Sequence, residues 1–337
     1  MKVTLTNITF ETTSVCNLNC RYCYNIWKRP GVSGFNHFNS YRQALKTLKK
    51  LFSLADVEHV TFTGGEPFLS ERFNELVLYV RLKKKSVAII TNGNVATQND
   101  FRQMLDLGVG LFEIPLHSVA PEIHDFMTNT PGSWLKSLNA LSYLVSQNAN
   151  VVAVIVITKA NFNQVKQTLA LIKELGINRI MLNRFNIGGE GITQKENLWL
   201  NHDELKQAFK SASQAGRELK LQLSSNVCTP SCVLNPADYP GIGFTHCSPE
   251  VTRRPLTLDI MGNLRFCNHS PTILGNIHFQ NLKEMLNSDA AKLWGETIPE
   301  FCVNCDLYKK CMGGCRAASE QLNLSLHQVD PVVKVLK

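Results

Sequence analysis

Between residues 7 and 12 the apolar Ile8 and Phe10 alternate with polar neighbours, the period-two pattern of a strand with one buried face. After a Gly- and Asn-rich segment at 31–39, the period changes. Tyr41, Ala44, Leu45, Leu48, Leu51 and Phe52 recur at helical spacing behind Ser40, whose side chain can cap a helix. Residues 58–63 read as the next strand, 71–83 as a second helix and 86–91 as a third strand. The unit then repeats. A helix is expected over 98–107, a strand over 110–116, a helix over 133–146 and a strand over 151–157. The helix over 163–175 stops at Gly176, a residue type that closes helices. Residues 179–185 are the sixth expected strand and 203–218 the sixth helix.

Six strands alternating with six helices at intervals of about thirty residues predict an α/β protein. Right-handed crossovers would lay the strands parallel and curve them into a partial (β/α)6 barrel of the TIM type. Active sites of such sheets lie at the carboxyl ends of the strands. Three turns fall there: the segment after the first strand, the run Gly64-Gly65-Glu66-Pro67, and the pair Asn92-Gly93. Beyond about residue 226 the periodicity fades and eight of the eleven cysteines appear. Domains at 1–225 and 226–337 are therefore expected, the second cysteine-rich and irregular, with one helix over about 281–294. Such a region is expected to be held by metal more than by a core of its own.

The segment after the first strand holds Cys16, Cys20 and Cys23, spaced C-x3-C-x2-C. Three thiolates this close can ligate three irons of a cubane iron–sulfur cluster and leave the fourth iron open to a small molecule. The competing readings are a structural zinc loop or cysteines that bind nothing.

Composition narrows the class. The 337 residues are 44% hydrophobic and 18% charged, as in a soluble globular protein with a sizeable core. The N-terminus lacks an apolar signal core, and the longest apolar run, 151–157, is too short to span a bilayer, so the chain is placed in the cytoplasm without a membrane partner. Thiols stay reduced in that compartment, which makes metal a better use than disulfides for eleven cysteines. The formal charge of +8 does not argue for nucleic acid, because each bound cluster adds roughly one or two negative charges. Lys83-Lys84-Lys85 reads as the solvated end of a helix.

Together, the C-x3-C-x2-C loop with Tyr22 and Tyr24, the Gly64-Gly65-Glu66-Pro67 turn and the downstream cysteines resemble the radical S-adenosylmethionine (radical SAM) superfamily. The pattern Cys247-x14-Gly262-x4-Cys267 and Cys302-x2-Cys305-x5-Cys311-x3-Cys315 resembles its SPASM extension, which carries auxiliary [4Fe–4S] clusters. The resemblance implies SAM as the ligand of the open iron, with Tyr22 and Tyr24 on the adenine side. Gly64 and Gly65 would let backbone approach SAM and Glu66 would accept from its ammonium group, with Pro67 closing the turn. Asn92 and Gly93 would approach SAM as well, or form a plain turn. Where relatives often read Ser-Leu-Asp, this chain has Pro115-Leu116-His117-Ser118, so Ser118 and His117 are candidates to substitute. His124-Asp125 is read as a helix start. Arg184 closes the sixth strand and is expected to meet a SAM or substrate carboxylate. Gly188-Gly189-Glu190-Gly191 is read as a mobile loop in preference to a phosphate cradle. Glu113, His117 and His269 are acid–base candidates by position.

By the same resemblance the first auxiliary cluster takes Cys247, Cys267 and Cys315, and the second takes Cys302, Cys305, Cys311 and a later cysteine. No cysteine follows Cys315. Asp330 and His327 are the nearest substitutes, unless the second cluster keeps an open iron or is absent. Cys228 or Cys232, with Cys232 favoured, would complete the first. The resemblance implies a 5′-deoxyadenosyl radical that takes a hydrogen from the substrate, with auxiliary clusters accepting the remaining electron. The first reading of function is oxidative modification of a ribosomally made peptide by cross-link, thioether or other oxidation. A leader would be read by the barrel, the extension or a separate leader-binding protein, and electrons would come from a flavodoxin- or ferredoxin-type donor. The alternatives are oxidation of a small molecule or of a protein side chain, as in sulfatase formylglycine formation, and a non-catalytic zinc module.

Overall fold

The computed structural model describes residues 2–31 and 38–334, so most of the Gly- and Asn-rich segment lies outside the described residues. The strands are β1 (Val3–Glu11), β2 (Ala55–Thr63), β3 (Ser86–Ile90), β4 (Leu111–Pro115), β5 (Val151–Ile157), β6 (Arg179–Arg184), β7 (Gln222–Ser225), β8 (Ile242–Phe244), β9 (Leu256–Asp259), β10 (Asn263–Arg265) and β11 (Ile273–Asn276). The helices to Glu218 are α1 (Tyr41–Leu54), α2 (Phe73–Leu82), α3 (Gln98–Asp106), α4 (Pro121–Thr128), α5 (Ser133–Ser146), α6 (Val165–Glu174), α7 (Lys195–Leu198) and α8 (His202–Glu218). The chain is α/β, and the six strand–helix alternations fall where the periodicity places them.

Backbone contacts divide the chain into two interleaved compact units, Met1–Asn17 with Ser33–Glu113 and Ser248–Thr297, and Leu18–Val32 with Ile114–Cys247 and Ile298–Lys337. The expected boundary near residue 225 does not coincide with this division.

In the first unit the strand order is β11-β10-β9-β1-β2-β3-β4. β1 runs parallel to β2 from Val3↔Ala55 to Glu11↔Thr63 and carries the fully buried Ile8 and Phe10. Phe10 meets Phe62 edge to face, and Phe62 meets Phe73 on α2 in the same way. Ser40 caps α1 by accepting from Gln43 N, as its position predicts. The lysine run lies at the end of α2, where Lys83 and Lys84 are exposed and Lys85 pairs with Asp56.

Residues 248–297 are not held by metal alone. β9 adds to β1 in parallel, from Ile8↔Leu256 to Glu11↔Asp259, and β10 and β11 continue antiparallel, which makes the sheet mixed. Leu256, Leu258, Ile260, Leu264 and Phe266 are fully buried there, each contributing roughly 1.5–3 kcal/mol of hydrophobic stabilisation. Gly262 turns the β9–β10 hairpin at φ +90°, where a Cβ would sit 2.5 Å from the His278 ring. This explains the glycine of the Cys247-x14-Gly262-x4-Cys267 pattern as a turn residue.

In the second unit β5, β6, β7 and β8 are successive parallel neighbours. β7 and β8 have four and three residues, too few for a period to show in sequence, which is why that region reads as irregular. The helix expected over 281–294 is broken into Leu282–Leu286 and Asp289–Glu296, with Ser288 capping the second. Among the described residues no helix is long and apolar enough to cross a membrane.

Candidate active site

The chain leaves β1 into Thr13–Cys16 along a backbone that the Gly64–Pro67 turn grips directly. Gly65 N donates to Thr13 O at 2.7 Å and Glu66 N to Val15 O at 2.8 Å. A Cβ on Gly64 would stand 2.3 Å from Thr13 O, and one on Gly65 2.1 Å from Val15 O. The glycines are therefore required by a backbone-to-backbone contact that sets the approach to Cys16, a partner other than the expected ligand. From the other side Phe38 brackets Ser14, with Ser14 N donating to Phe38 O and Phe38 N to Ser14 Oγ.

Glu66 is fully buried. Its carboxylate accepts from Thr91 Oγ1 at 2.6 Å, Asn92 N at 2.8 Å and Phe68 N at 3.2 Å, and burial pushes its pKa up to about 7. It thereby ties the β2 turn to the end of β3, while Pro67 starts the short 3-10 turn Pro67–Leu69. The side chain of Asn92, held in this way, donates to Asn17 Oδ1 at 2.9 Å and to Cys16 Sγ at 3.8 Å. An N–H aimed at a ligating sulfur tunes a cluster's potential.

In the second unit the rest of the cysteine loop is fastened just as closely. Cys23 N donates to Cys20 O, Arg21 N to Met127 O, and Arg21 Nη2 to Asn129 Oδ1. Gly191 N donates to Cys23 O, and a Cβ on Gly189 would lie 2.5 Å from Cys23 O. Gln321 donates to Tyr24 O and accepts from Gly189 N. The Gly188–Gly191 run is thus a clamp on the loop that follows the third cysteine, which corrects the reading of a mobile segment. Tyr22 stands edge-on to His117, with its hydroxyl 2.6 Å from Nε2.

His117 Nδ1 accepts from Val156 N, which leaves the ring proton on Nε2 facing Tyr22. Burial, with His124 second, holds its pKa well below the usual value, so the neutral ring braces Tyr22. His124 lies buried within α4, and Asp125 caps the start of α5 by accepting from Gly132 N and Trp134 N. Ser118 is buried, donates to Gln164 Oε1 and accepts from Ala120 N, so its hydroxyl is spent inside the fold. Arg184 does not open toward a ligand: it is buried, ion-paired with Asp330, and bonded to Thr229 Oγ1, Phe185 O and Cys228 O. Asp330 also accepts from Cys315 N, which corrects its candidacy as an iron ligand, whereas His327 is exposed. Glu113 lies on β4, where its carbonyl accepts from Thr91 N. His269 is buried in the loop after Cys267, a loop anchored by the buried Arg265–Glu11 ion pair.

None of the eleven cysteines is joined in a disulfide. Cys315 Sγ accepts from Asn186 Nδ2 at 3.2 Å, and the Cys228 carbonyl accepts from Arg184. Cys302, Cys305 and Cys311 follow one another through short turns, with Cys305 N donating to Cys302 O and Cys311 N to Leu307 O. Cys247 and Cys267 are half-buried. Among the described residues no three His, Cys, Asp or Glu side chains converge as ligands of a single ion would. Cluster thiolates each take a separate iron, so they surround a volume and share no point. The donor set at Cys16, Cys20 and Cys23 fits a cluster: soft sulfur, a pinned loop, and an amide N–H already directed at one sulfur.

Comparison with known proteins agrees with this chemistry. Residues 10–172 match the Radical SAM superfamily. The chain is 25% identical over 322 residues to the antilisterial bacteriocin subtilosin biosynthesis protein AlbA of Bacillus subtilis (strain 168), covering 91% of this chain and 66% of AlbA, just under two thirds of its length. It is 24% identical over 334 residues to the PqqA peptide cyclase of Xanthomonas campestris pv. campestris (strain 8004), covering 97% of this chain and 86% of the cyclase. In fold it is similar to anSMEcpe with bound AdoMet, at TM-score 0.76 and 16% identity over 99% of this chain and 91% of that one. It is likewise similar to Streptococcus suis SuiB bound to precursor peptide SuiA, at TM-score 0.74 and 15% identity over 98% of this chain and 76% of that one. The matched residues include the three-cysteine loop and the turn that grips it, so the zinc-module alternative gives way: the chain carries a radical SAM domain and is an enzyme, with a [4Fe–4S] cluster and S-adenosyl-L-methionine as its cofactors.

Proposed function

We propose that the protein is a SPASM-type radical SAM oxidoreductase that modifies a ribosomally made peptide by cross-linking, thioether formation or another oxidation. The observation that carries this reading is the extent of the likeness. It continues past residue 172 and reaches 97% of the chain in a relative named for cyclising a peptide. AlbA is named for bacteriocin biosynthesis, and SuiB was solved with a precursor peptide. The strand–helix alternation is read as a partial (β/α)6 barrel, and the downstream cysteines as one or two auxiliary clusters.

When bound, the cluster and SAM supply a 5′-deoxyadenosyl radical that removes a hydrogen from the substrate. The chain's own contribution is to hold and shield. Cys16, Cys20 and Cys23 would ligate the cluster, Asn92 would tune the sulfur of Cys16, and Tyr22, braced by His117, would fix the segment read as the adenine side. The clamp of Gly189 and Gln321 keeps Tyr24 in place. A flavodoxin- or ferredoxin-type protein would supply electrons, and the downstream cysteines would hold auxiliary clusters that offer an acceptor for the electron left on the substrate.

The test is anaerobic turnover of the reconstituted enzyme with SAM, a reductant and the short peptides encoded beside its gene, read as 5′-deoxyadenosine and peptide mass. A peptide that loses hydrogen in step with 5′-deoxyadenosine release is expected. If every such peptide is returned unchanged while 5′-deoxyadenosine forms only at the rate seen without peptide, the peptide reading fails.

A further inference from the structure

The Arg184–Asp330 ion pair holds the backbone of one of the two upstream cysteines. Arg184 bonds the carbonyl of Cys228, and Asp330 accepts from the backbone of Cys315, so Cys228 and Cys315 share one anchor. Four residues on, the chain turns. Val233 N and Leu234 N both donate to Pro230 O, and the turn exposes Cys232. The ring of Pro230 is seated on Gly314, where a Cβ would stand 2.6 Å from its Cγ, and a Cβ on the neighbouring Gly313 would stand 3.5 Å from Cys302 Sγ. Ser231, beside Cys232, faces Leu307 and Lys310 across a cavity of about 510 Å³, and those two residues lie between Cys305 and Cys311.

We infer that Cys232 is the fourth thiolate of the cluster held by Cys302, Cys305 and Cys311. The inference rests on the auxiliary-cluster part of the proposed function and revises the assignment of Cys232 to the first auxiliary cluster, leaving Cys228 on the side of Cys315. Cys232 takes the place that a cysteine after Cys315 would hold.

The test separates this assignment from the reading beneath it. In a Cys16→Ala, Cys20→Ala, Cys23→Ala background the SAM-linked cluster is lost, so retained iron reports the downstream cysteines alone. Iron absent from that background would overturn the auxiliary-cluster reading and this assignment with it. With iron present, adding Cys232→Ala is expected to change the Mössbauer and EPR spectra as Cys302→Ala does, with loss of cluster iron, whereas Cys228→Ala leaves that component intact. An unchanged spectrum in Cys232→Ala, or the same component lost in Cys228→Ala, would overturn the assignment while the auxiliary clusters stand. Cys232→Ser, which keeps a weaker ligand, should retain more iron than Cys232→Ala at equal far-UV circular dichroism; equal loss in both would count against direct ligation.

Discussion

The side-chain amide of Asn92 donates to the sulfur of Cys16, 3.8 Å away, and Asn92 is itself held through its backbone by the carboxylate of Glu66. A residue at the end of β3 therefore reaches the first cysteine of the loop proposed to hold the cluster. A hydrogen bond to a ligating sulfur spreads its negative charge and favours the reduced cluster. Asn92→Ala should lower the cluster's midpoint potential and slow SAM cleavage by roughly 10–100-fold, the usual range for groups that support metal ligands. An EPR-monitored redox titration beside a 5′-deoxyadenosine assay checks both, and an unshifted potential would separate Asn92 from the cluster.

Glu66 carries a pH dependence with a definite sign. Its pKa is raised by burial from 4.5 to about 7, so its stabilising contribution is full below about pH 4.5 and is lost as pH rises through 7. Glu66→Gln cannot ionise and loses the acceptor for Asn92 N. The variant should be less stable than the wild type at pH 5, and the gap should narrow by on the order of 1–3 kcal/mol by pH 8, because only the wild type must ionise a buried acid. Urea unfolding at the two pH values measures the gap, and a constant gap would contradict this account.

Gly65→Ala would place a methyl carbon 2.1 Å from Val15 O, inside contact distance with backbone that cannot rotate aside. The pairing of Glu66 N with Val15 O should be lost. A destabilisation of roughly 2–4 kcal/mol and a fall in iron retained after anaerobic desalting are expected. Native stability and iron content in this variant would show that the loop tolerates displacement.

Arg184 and Asp330 are both about 2% exposed or less, so neither charge can be left alone cheaply. Arg184→Met should cost about 3–5 kcal/mol near neutral pH, since Asp330 would stay buried without its cation. Burial already raises the Asp330 pKa, so the loss should shrink as acid protonates it. Unfolding curves at pH 5.5 and 8 test this, and an equal loss at both values would show that packing, not charge, dominates.

Much of the architecture was legible because its signals are local. A period of two or of three to four residues reports one buried face, and it located β1 and α1 through α8 except for α4 and the four-residue α7. The spacing of Cys16, Cys20 and Cys23 pointed to a cluster for the same reason, since cysteines within one short loop are neighbours whatever the rest of the chain does. The short strands β7 to β11 escaped because three or four residues hold no measurable period.

The roles of the polar side chains were not legible, because a buried polar group is defined by a partner that can lie anywhere in sequence. Arg184 looked like a ligand-binding cation until the fold placed Asp330, 146 positions later, against it. Glu66, read from sequence as an acceptor for SAM, also accepts from Thr91 and Asn92 within the fold, which no local pattern announces. The sequence by itself determined the order of strands and helices and the chemistry of the three-cysteine loop. Tertiary structure alone decided which charges are spent inside the protein, what the Gly64–Gly65 contact is for, and which cysteine backbones the Arg184–Asp330 pair holds.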